Sequence, residues 1–372
     1  LEIRIIDVKG YTLLYPLPYT IKYSWEPFPH DLYICTLVEV TDEAGDKGYS
    51  AAEFGPAYKS YLEGIVRTVL QSMEFTTPKD LERLISIGSW IYMRLGPVEN
   101  AIWDLIARKK GKPLYRLLGG ARNKVKVYAS MGRIIDVDEA SSMIEKYIEL
   151  GIELVKIRLR RPLIDDDIAF AKALSKRFRG DILFAADANQ AWSVTPPFWN
   201  KEDAKKVGDK LYELEFEWLE EPLYMGDIQG YRWLREHVDI PIAGGELEHR
   251  YEVYKYMVEM DAIDILQSDA VYGDGIVFSQ RIAELAWRKN LRYMPHAWDP
   301  GLGWLFNLHL SAAYPSSKIR YLEFPFDPID WPKHMFFMME NHIEINNGYV
   351  EIPEDEGTGF NLNMEAVKKY SI

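Results

Sequence analysis

Ile182-Leu183-Phe184-Ala185-Ala186-Asp187, Phe216-Glu217-Trp218-Leu219-Glu220 and Ile240-Pro241-Ile242-Ala243-Gly244-Gly245-Glu246 are short apolar runs, and each closes on an acid. Runs of this kind read as buried strands. The acids fall 33 and 26 positions apart, about one strand–helix unit per step. In a parallel barrel every strand points the same way, so Asp187, Glu220 and Glu246 would meet at one mouth. Three clustered carboxylates repel unless a cation sits among them. An all-oxygen ligand set predicts Mg²⁺, and Mn²⁺ fits the same donors.

The series continues along the chain. Ala262-Ile263-Asp264-Ile265-Leu266-Gln267-Ser268 ends on Asp269, Leu291-Arg292-Tyr293-Met294-Pro295 on His296, and Ile319-Arg320-Tyr321-Leu322 on Glu323. Before Asp187, the run Leu154-Val155-Lys156-Ile157-Arg158-Leu159 places Lys156 and Arg158 two apart, on one strand face. A single strand-end acid is commonly a capping residue. Seven strands in register that all end in ionisable groups are hard to explain as packing. They point to an active site at the carboxyl ends of a barrel.

The 372 residues suffice for a barrel and a second domain. No apolar run reaches the roughly 18 residues that a membrane span needs. The opening stretch, Leu1-Glu2-Ile3-Arg4-Ile5-Ile6, alternates like a strand and lacks the plan of a signal peptide. The net charge of −13 argues against nucleic acid or anionic membrane as partner. Cys35 is the single cysteine and sits in an apolar strand pattern, so it is read as packing. The expectation is a cytoplasmic protein.

Residues 1–120 read as strands followed by helices. Leu32–Val40 and Lys47–Phe54 flank a polar turn and predict a hairpin. Tyr58–Met73 and Pro78–Ile87 predict helices. Gly96-Pro97 opens another, since Pro suits the first helical turn, and Gly119-Gly120 marks a domain boundary. In 121–330 strands and helices alternate. Val125–Ala129 is a strand, and Asp136 or Asp138 caps the next helix. Further strands are predicted near 154, 182, 216, 241, 263, 292 and 319. Eight strands at this spacing suggest a closed α/β barrel. In 331–372, Asn346-Asn347-Gly348 between two alternating runs predicts a hairpin, expected to pack back on the first domain.

With these residues in view, the chain resembles the enolase superfamily, in its mandelate racemase-like branch. The phrases Glu99-Asn100-Ala101-Ile102-Trp103-Asp104-Leu105, Pro113-Leu114-Tyr115-Arg116-Leu117-Leu118-Gly119-Gly120, Asp187-Ala188-Asn189-Gln190-Ala191-Trp192 and Leu219-Glu220-Glu221-Pro222 carry the resemblance. It implies an α+β capping domain over a modified (β/α)7β barrel of TIM type. It also implies Mg²⁺ on Asp187, Glu220 and Glu246, a His296–Asp269 dyad, and Glu323 near the substrate. Of the adjacent Glu220 and Glu221, the family pattern selects the first. The chain departs from the family at one place. Where the family has Lys-x-Lys, with the second Lys a base, it reads Lys156-Ile157-Arg158, and Arg is a poor general base.

The chemistry shared by the resemblance is abstraction of the proton beside a carboxylate, with the enediolate stabilised by the metal. Lys156 and Arg158 can neutralise substrate carboxylate oxygens, and either His296 or Lys156 can take the C2 proton. Racemisation needs a base on each face, whereas dehydration can use one residue as base and then as acid. The expectation is therefore a hydro-lyase acting on a small acid-sugar substrate, an aldonate such as arabinonate or gluconate, giving a 2-keto-3-deoxy acid. Asn189, Trp298 and His30 are candidate substrate contacts, and a homo-oligomer is expected. The alternatives are a racemase, epimerase or cycloisomerase on the same fold, and a non-catalytic sugar-acid-binding barrel. A nicotinamide-dependent reductase would need a dinucleotide phosphate site, which the carboxylate ring opposes.

Overall fold

Burial alternates along Val8–Thr12, within the strand Ile5–Ile21, as a strand with one covered face requires. This computed structural model describes residues 3–90 and 94–372. Strands β1 (Ile5–Ile21), β2 (His30–Asp42) and β3 (Lys47–Ala52) form an antiparallel sheet in the order β1-β2-β3. The predicted hairpin is β2–β3. Asp42 Oδ1 holds its turn by accepting from the backbone N–H groups of Ala44 (3.0 Å) and Asp46 (2.9 Å). The first strand is much longer than its sequence showed. Its interior polar positions and Pro16 and Pro18 hide the period, and extended pairing with β2 overrides them. The helix Gly96–Lys109 begins at Gly96-Pro97 as expected and is buried over most of its length.

The rest of the chain builds one large sheet. Among the described residues its strands are β4 (Lys124–Ser130), β5 (Leu154–Arg158), β6 (Leu183–Asp187), β7 (Leu219–Glu220), β8 (Ile242–Gly244), β9 (Ile265–Leu266), β10 (Arg292–Tyr293) and β11 (Leu322–Pro325). They pair in parallel in the order β10-β9-β8-β7-β6-β5-β4-β11. Helices run between them, and Asp136, one of the two predicted caps, accepts from Glu139 N–H at 2.9 Å.

A buried cluster shows how the sheet closes. Tyr128, Leu154, Ala185, Trp218, Ala243, Ile265, Met294 and Tyr321 pack together, one residue from each strand or its flank. Such a layer forms only inside a barrel. The two ends of the strand order also meet, where Ala297 N–H, just past β10, donates to Glu323 on β11 at 3.1 Å. The fold is a parallel α/β barrel of the (β/α)7β kind, with an antiparallel capping sheet built by the N-terminal part of the chain.

The tail departs from its expected hairpin. Asn346 and Tyr349 bridge across the Asn347-Gly348 turn, but β12 (Tyr349–Glu351) pairs with β4 at Lys124–Lys126 rather than with residues 342–345. Those first residues of β4 lie below the point where β11 joins at Val127, so their backbone edge is open. Further on, the helix Met364–Tyr370 packs on β1, and Ser371 bridges Leu13.

Candidate active site

Strand alternation aims alternate residues at one face. Two positions above the plug of the barrel therefore lies a second inward-facing ring. Counting two from each plug residue reaches Ser130, Lys156, Asp187, Glu220, Gln267, His296 and Glu323. On β8 the ring residue comes one position late, at Glu246. Gly245 explains the delay, because its φ of +104° inserts a left-handed residue that turns the chain before Glu246. A side chain there would also strike the Tyr254 ring.

Carboxylate oxygens of Asp187, Glu220 and Glu246 all lie within 4.8 Å of one another, and all three residues are buried. Each is held from outside. Asn189 N–H donates to Asp187 Oδ1 at 2.7 Å, and Asn189 Nδ2 donates to Oδ2 at 3.1 Å. Glu220 Oε2 accepts from Trp218 Nε1 (2.9 Å) and Gln267 Nε2 (2.8 Å), and Glu246 Oε1 accepts from Trp192 Nε1 (2.9 Å). An oxygen-only, buried and pre-oriented donor set of this size fits a hard divalent cation.

Two cations lie against this triad. Lys156 is fully buried and bonds Glu220 and, at 2.8 Å, Glu323. Burial works against its charge, but Glu220 and then Glu323 outweigh it and hold the ammonium protonated. Burial likewise opposes ionisation of Glu323, and Lys156, His296 and Arg158 together bring its carboxyl below the usual range. Arg158 bonds Asp187, reaches Asn189 Oδ1 and Ser130 Oγ, each at 3.3 Å, and lies beside the rings of Trp25 and Trp298.

His296 stands on the other side of the triad. Its Nδ1 lies 2.7 Å from Asp269 Oδ2, and its Nε2 lies 3.6 Å from Glu246 and 3.9 Å from Glu323. Burial would depress the imidazole, yet Glu246, Glu323 and Asp269 raise it to about 9. Asp269 is fixed in turn by Val271 N–H, Tyr272 N–H (3.2 Å) and Asn307 Nδ2 (3.1 Å). Arranged in this way, the ring nitrogen facing the cavity can move a proton while the other keeps its orientation.

Above the ring is a cavity of about 240 Å³, lined by Trp25, Glu53, Arg158, Asn189, Trp192, Glu246, Leu247, Tyr272, His296 and Trp298. Asn189 and Trp298, candidate contacts from the sequence, both reach it. Lys156, Asp269 and Glu323 sit behind its wall. His30 is not among the lining side chains. Its Nε2 is paired to Glu26 at 2.7 Å, and its Nδ1 lies 2.8 Å from the Leu32 carbonyl oxygen. From the same loop it is Trp25 that enters the cavity. Glu53, Gln267, Trp192 and Tyr272 went unread in the sequence. Gln267 had a usable signal, since it lies two residues before Asp269 on the same strand face. Glu53 had none beyond its place at the end of a hairpin strand.

Glu221, next to Glu220, is also buried, and its two oxygens have no hydrogen-bond partner among the described residues. Its backbone is left-handed, at φ +45°. Burial, then Glu246 and Glu220, push its carboxyl well up. The side chain belongs behind the triad rather than in it.

The model of the family described as enolase C-terminal domain-like matches residues 138–367. The chain belongs to the enolase C-terminal domain-like family. Within it, the chain is 28% identical to an arabinonate dehydratase of Saccharolobus solfataricus, over 73% of this chain and 70% of that one. It is 30% identical to a D-galactarolactone cycloisomerase of Agrobacterium fabrum, over 74% and 73%. It is 26% identical to the L-talarate/galactarate dehydratase of Salmonella typhimurium, over 86% and 79%. A crystal structure of a mutant of that last enzyme, liganded with Mg and L-glucarate, covers 100% of this chain and 92% of its own, with TM-score 0.81 and 24% identity. The barrel and its antiparallel cap are thus shared with that enzyme.

Proposed function

We propose that this chain is a Mg²⁺-dependent hydro-lyase that dehydrates a sugar acid, an aldonate such as arabinonate or gluconate, to a 2-keto-3-deoxy acid. Asp187, Glu220 and Glu246 are the residues that would hold the cation. When bound, it supplies Lewis-acid stabilisation of the charge that develops on the substrate carboxylate during proton removal. Arg158, which faces the cavity, adds positive charge at that end. Lys156 and Glu323 set the charge balance from behind.

The observation that carries the reading is the asymmetry of the cavity. Beside the triad, one lining residue, His296, is an imidazole braced by a carboxylate, and the lining residue on β5 is Arg158, a poor base. In its neutral form His296 takes the C2 proton, and the imidazolium so formed returns a proton to the hydroxyl that leaves C3. One residue serves both steps, as dehydration allows and racemisation does not. The dehydratases among the relatives support the same chemistry.

A second reading, racemisation or cycloisomerisation of a carboxylate, is favoured by the 30% identity to a cycloisomerase. The deciding experiment offers the Mg²⁺-loaded enzyme a library of acid sugars and follows both keto-acid formation and isotope exchange at C2. Keto acid from at least one aldonate is the expected outcome. Exchange or isomerisation with no keto acid from any of them would overturn the dehydratase in favour of the second reading.

A further inference from the structure

The cavity has a reactive floor and a roof of different chemistry. Arg158, Asn189, Glu246 and His296 rise from the barrel, whereas Trp25 and Glu53 come down from the capping side. All the positive charge lining the cavity is on the floor. Arg158 is already committed there to Asp187, Asn189 and Ser130. On the roof the chain presents a carboxyl and an indole. Arg94 opens on a neighbouring cavity beyond Trp192 and Leu247, with its guanidinium donating to the Tyr272 carbonyl.

A substrate anchored by its carboxylate on the floor sends its far end to this roof. A terminal hydroxyl can donate to the Glu53 carboxyl. A second carboxylate would face a like group, and the nearest cation among the described residues, His296, is already paired with Asp269 and Glu246. We infer that Glu53 is a specificity-determining residue that admits sugar monoacids carrying a terminal hydroxyl and rejects the corresponding diacids. The inference rests on the proposed function and deepens it, because relatives of both substrate types occur. Burial raises the Glu53 carboxyl to about 7, with Tyr33, Tyr272 and His296 acting against the rise and Glu26 adding to it. In its ionised form, which prevails above that value, the group accepts from a hydroxyl and repels a second carboxylate.

The test compares gluconate with glucarate, which differ only at the far carbon. Turnover and equilibrium binding to the Mg²⁺-loaded enzyme are measured for the wild type, Glu53→Gln and Glu53→Ala, with melting curves to verify folding. Like-charge repulsion at a partly screened site predicts a wild-type preference for the monoacid of about 10-fold or more. Glu53→Gln should narrow that ratio, mainly by lowering KM and Kd for the diacid. Equal handling of both acids by the wild type would overturn the inference. So would a loss of kcat with unchanged KM for both acids in Glu53→Gln, which would make Glu53 a proton-transfer group. If the wild type binds the monoacid selectively but forms no keto acid, the dehydratase reading fails and the role of Glu53 stands. If both variants fail to fold, the wild-type ratio in binding still decides.

Discussion

Asp269 Oδ2 lies 2.7 Å from His296 Nδ1, on the side of the ring away from the cavity. In the proposed reaction the carboxylate orients the imidazole and stays out of the proton's path. His296→Asn should therefore retain substrate and metal binding and lose turnover by several orders of magnitude, since each positioned proton transfer is worth on the order of 10²–10⁴. Asp269→Asn should lose less. Because one imidazole reaches one face, the C2 proton and C3 hydroxyl should depart syn from a C2-deuterated aldonate. Near-normal turnover in His296→Asn, or clean anti elimination by the wild type, would remove His296 from this role.

Chelation should abolish activity, and Mg²⁺ should restore it. Calorimetric titration of Mg²⁺ should show Glu220→Gln weakened by more than about 100-fold, beyond the 10–100-fold usual for groups one layer out from a metal. Glu221→Gln should fall at or below that range. Equal losses in the two variants would mean that the ligand is misassigned.

Arg158 stands where a second base would serve racemisation. If it only stabilises charge, Arg158→Lys should keep some dehydration, reduced because a lysine cannot span Met131, Ser130, Asn189 and Asp187 together. Proton exchange at C2 in deuterated water should run from one face in both proteins. Rapid exchange from both faces by the wild type would contradict a one-base site.

His309 offers a stability test far from the chemistry. It is buried between Tyr115 N–H, which donates to Nδ1 at 3.1 Å, and the Thr358 carbonyl, 3.1 Å from Nε2. Burial lowers its pKa from 6.5 to about 4, with the Thr358 contact opposing. An unfolded imidazole takes up a proton near 6.5, while the folded one resists until about 4. Folding stability should be complete above pH 6.5 and fall by roughly 3 kcal/mol as pH drops to 4. Denaturant curves of His309→Gln should show a loss of that size missing from this window. Parallel pH profiles for mutant and wild type would show that the imidazole does not titrate in this way.

The barrel was legible because its strands repeat an apolar run that stops at a charge, and strand alternation then carries each charge to the same mouth. The metal triad and the dyad follow from that repeat. What stayed hidden lies off the repeat. Glu53 lies just past a short hairpin strand, and its neighbours in space come from residues hundreds of positions away, such as His296. The long β1 carries prolines and polar residues that erase its period, and only pairing with β2 defines it. His30 was prominent in a loop that does approach the cavity, but Glu26, four residues earlier, claims its ring.

The helix Gly96–Lys109 ties three parts of the chain. Glu99 accepts from Ile276 N–H in the barrel, and the bare Cα of Gly275 leaves room for it. Asn100 Nδ2 donates to the Ala270 carbonyl at 2.8 Å, on the loop that carries Asp269. Asp104 accepts from Tyr49 N–H in the cap and Thr358 N–H in the tail. Recombination between relatives therefore has a natural seam. A cap exchanged without this helix leaves buried acids and amides unmatched on three sides, whereas a graft of the loop around Trp25 has to keep the few bonds that tie it to the barrel, from Ser24 to Gly132 and Asn189 and from Tyr23 to Asp327. New substrates are accordingly to be sought by grafting loops and not by swapping whole caps.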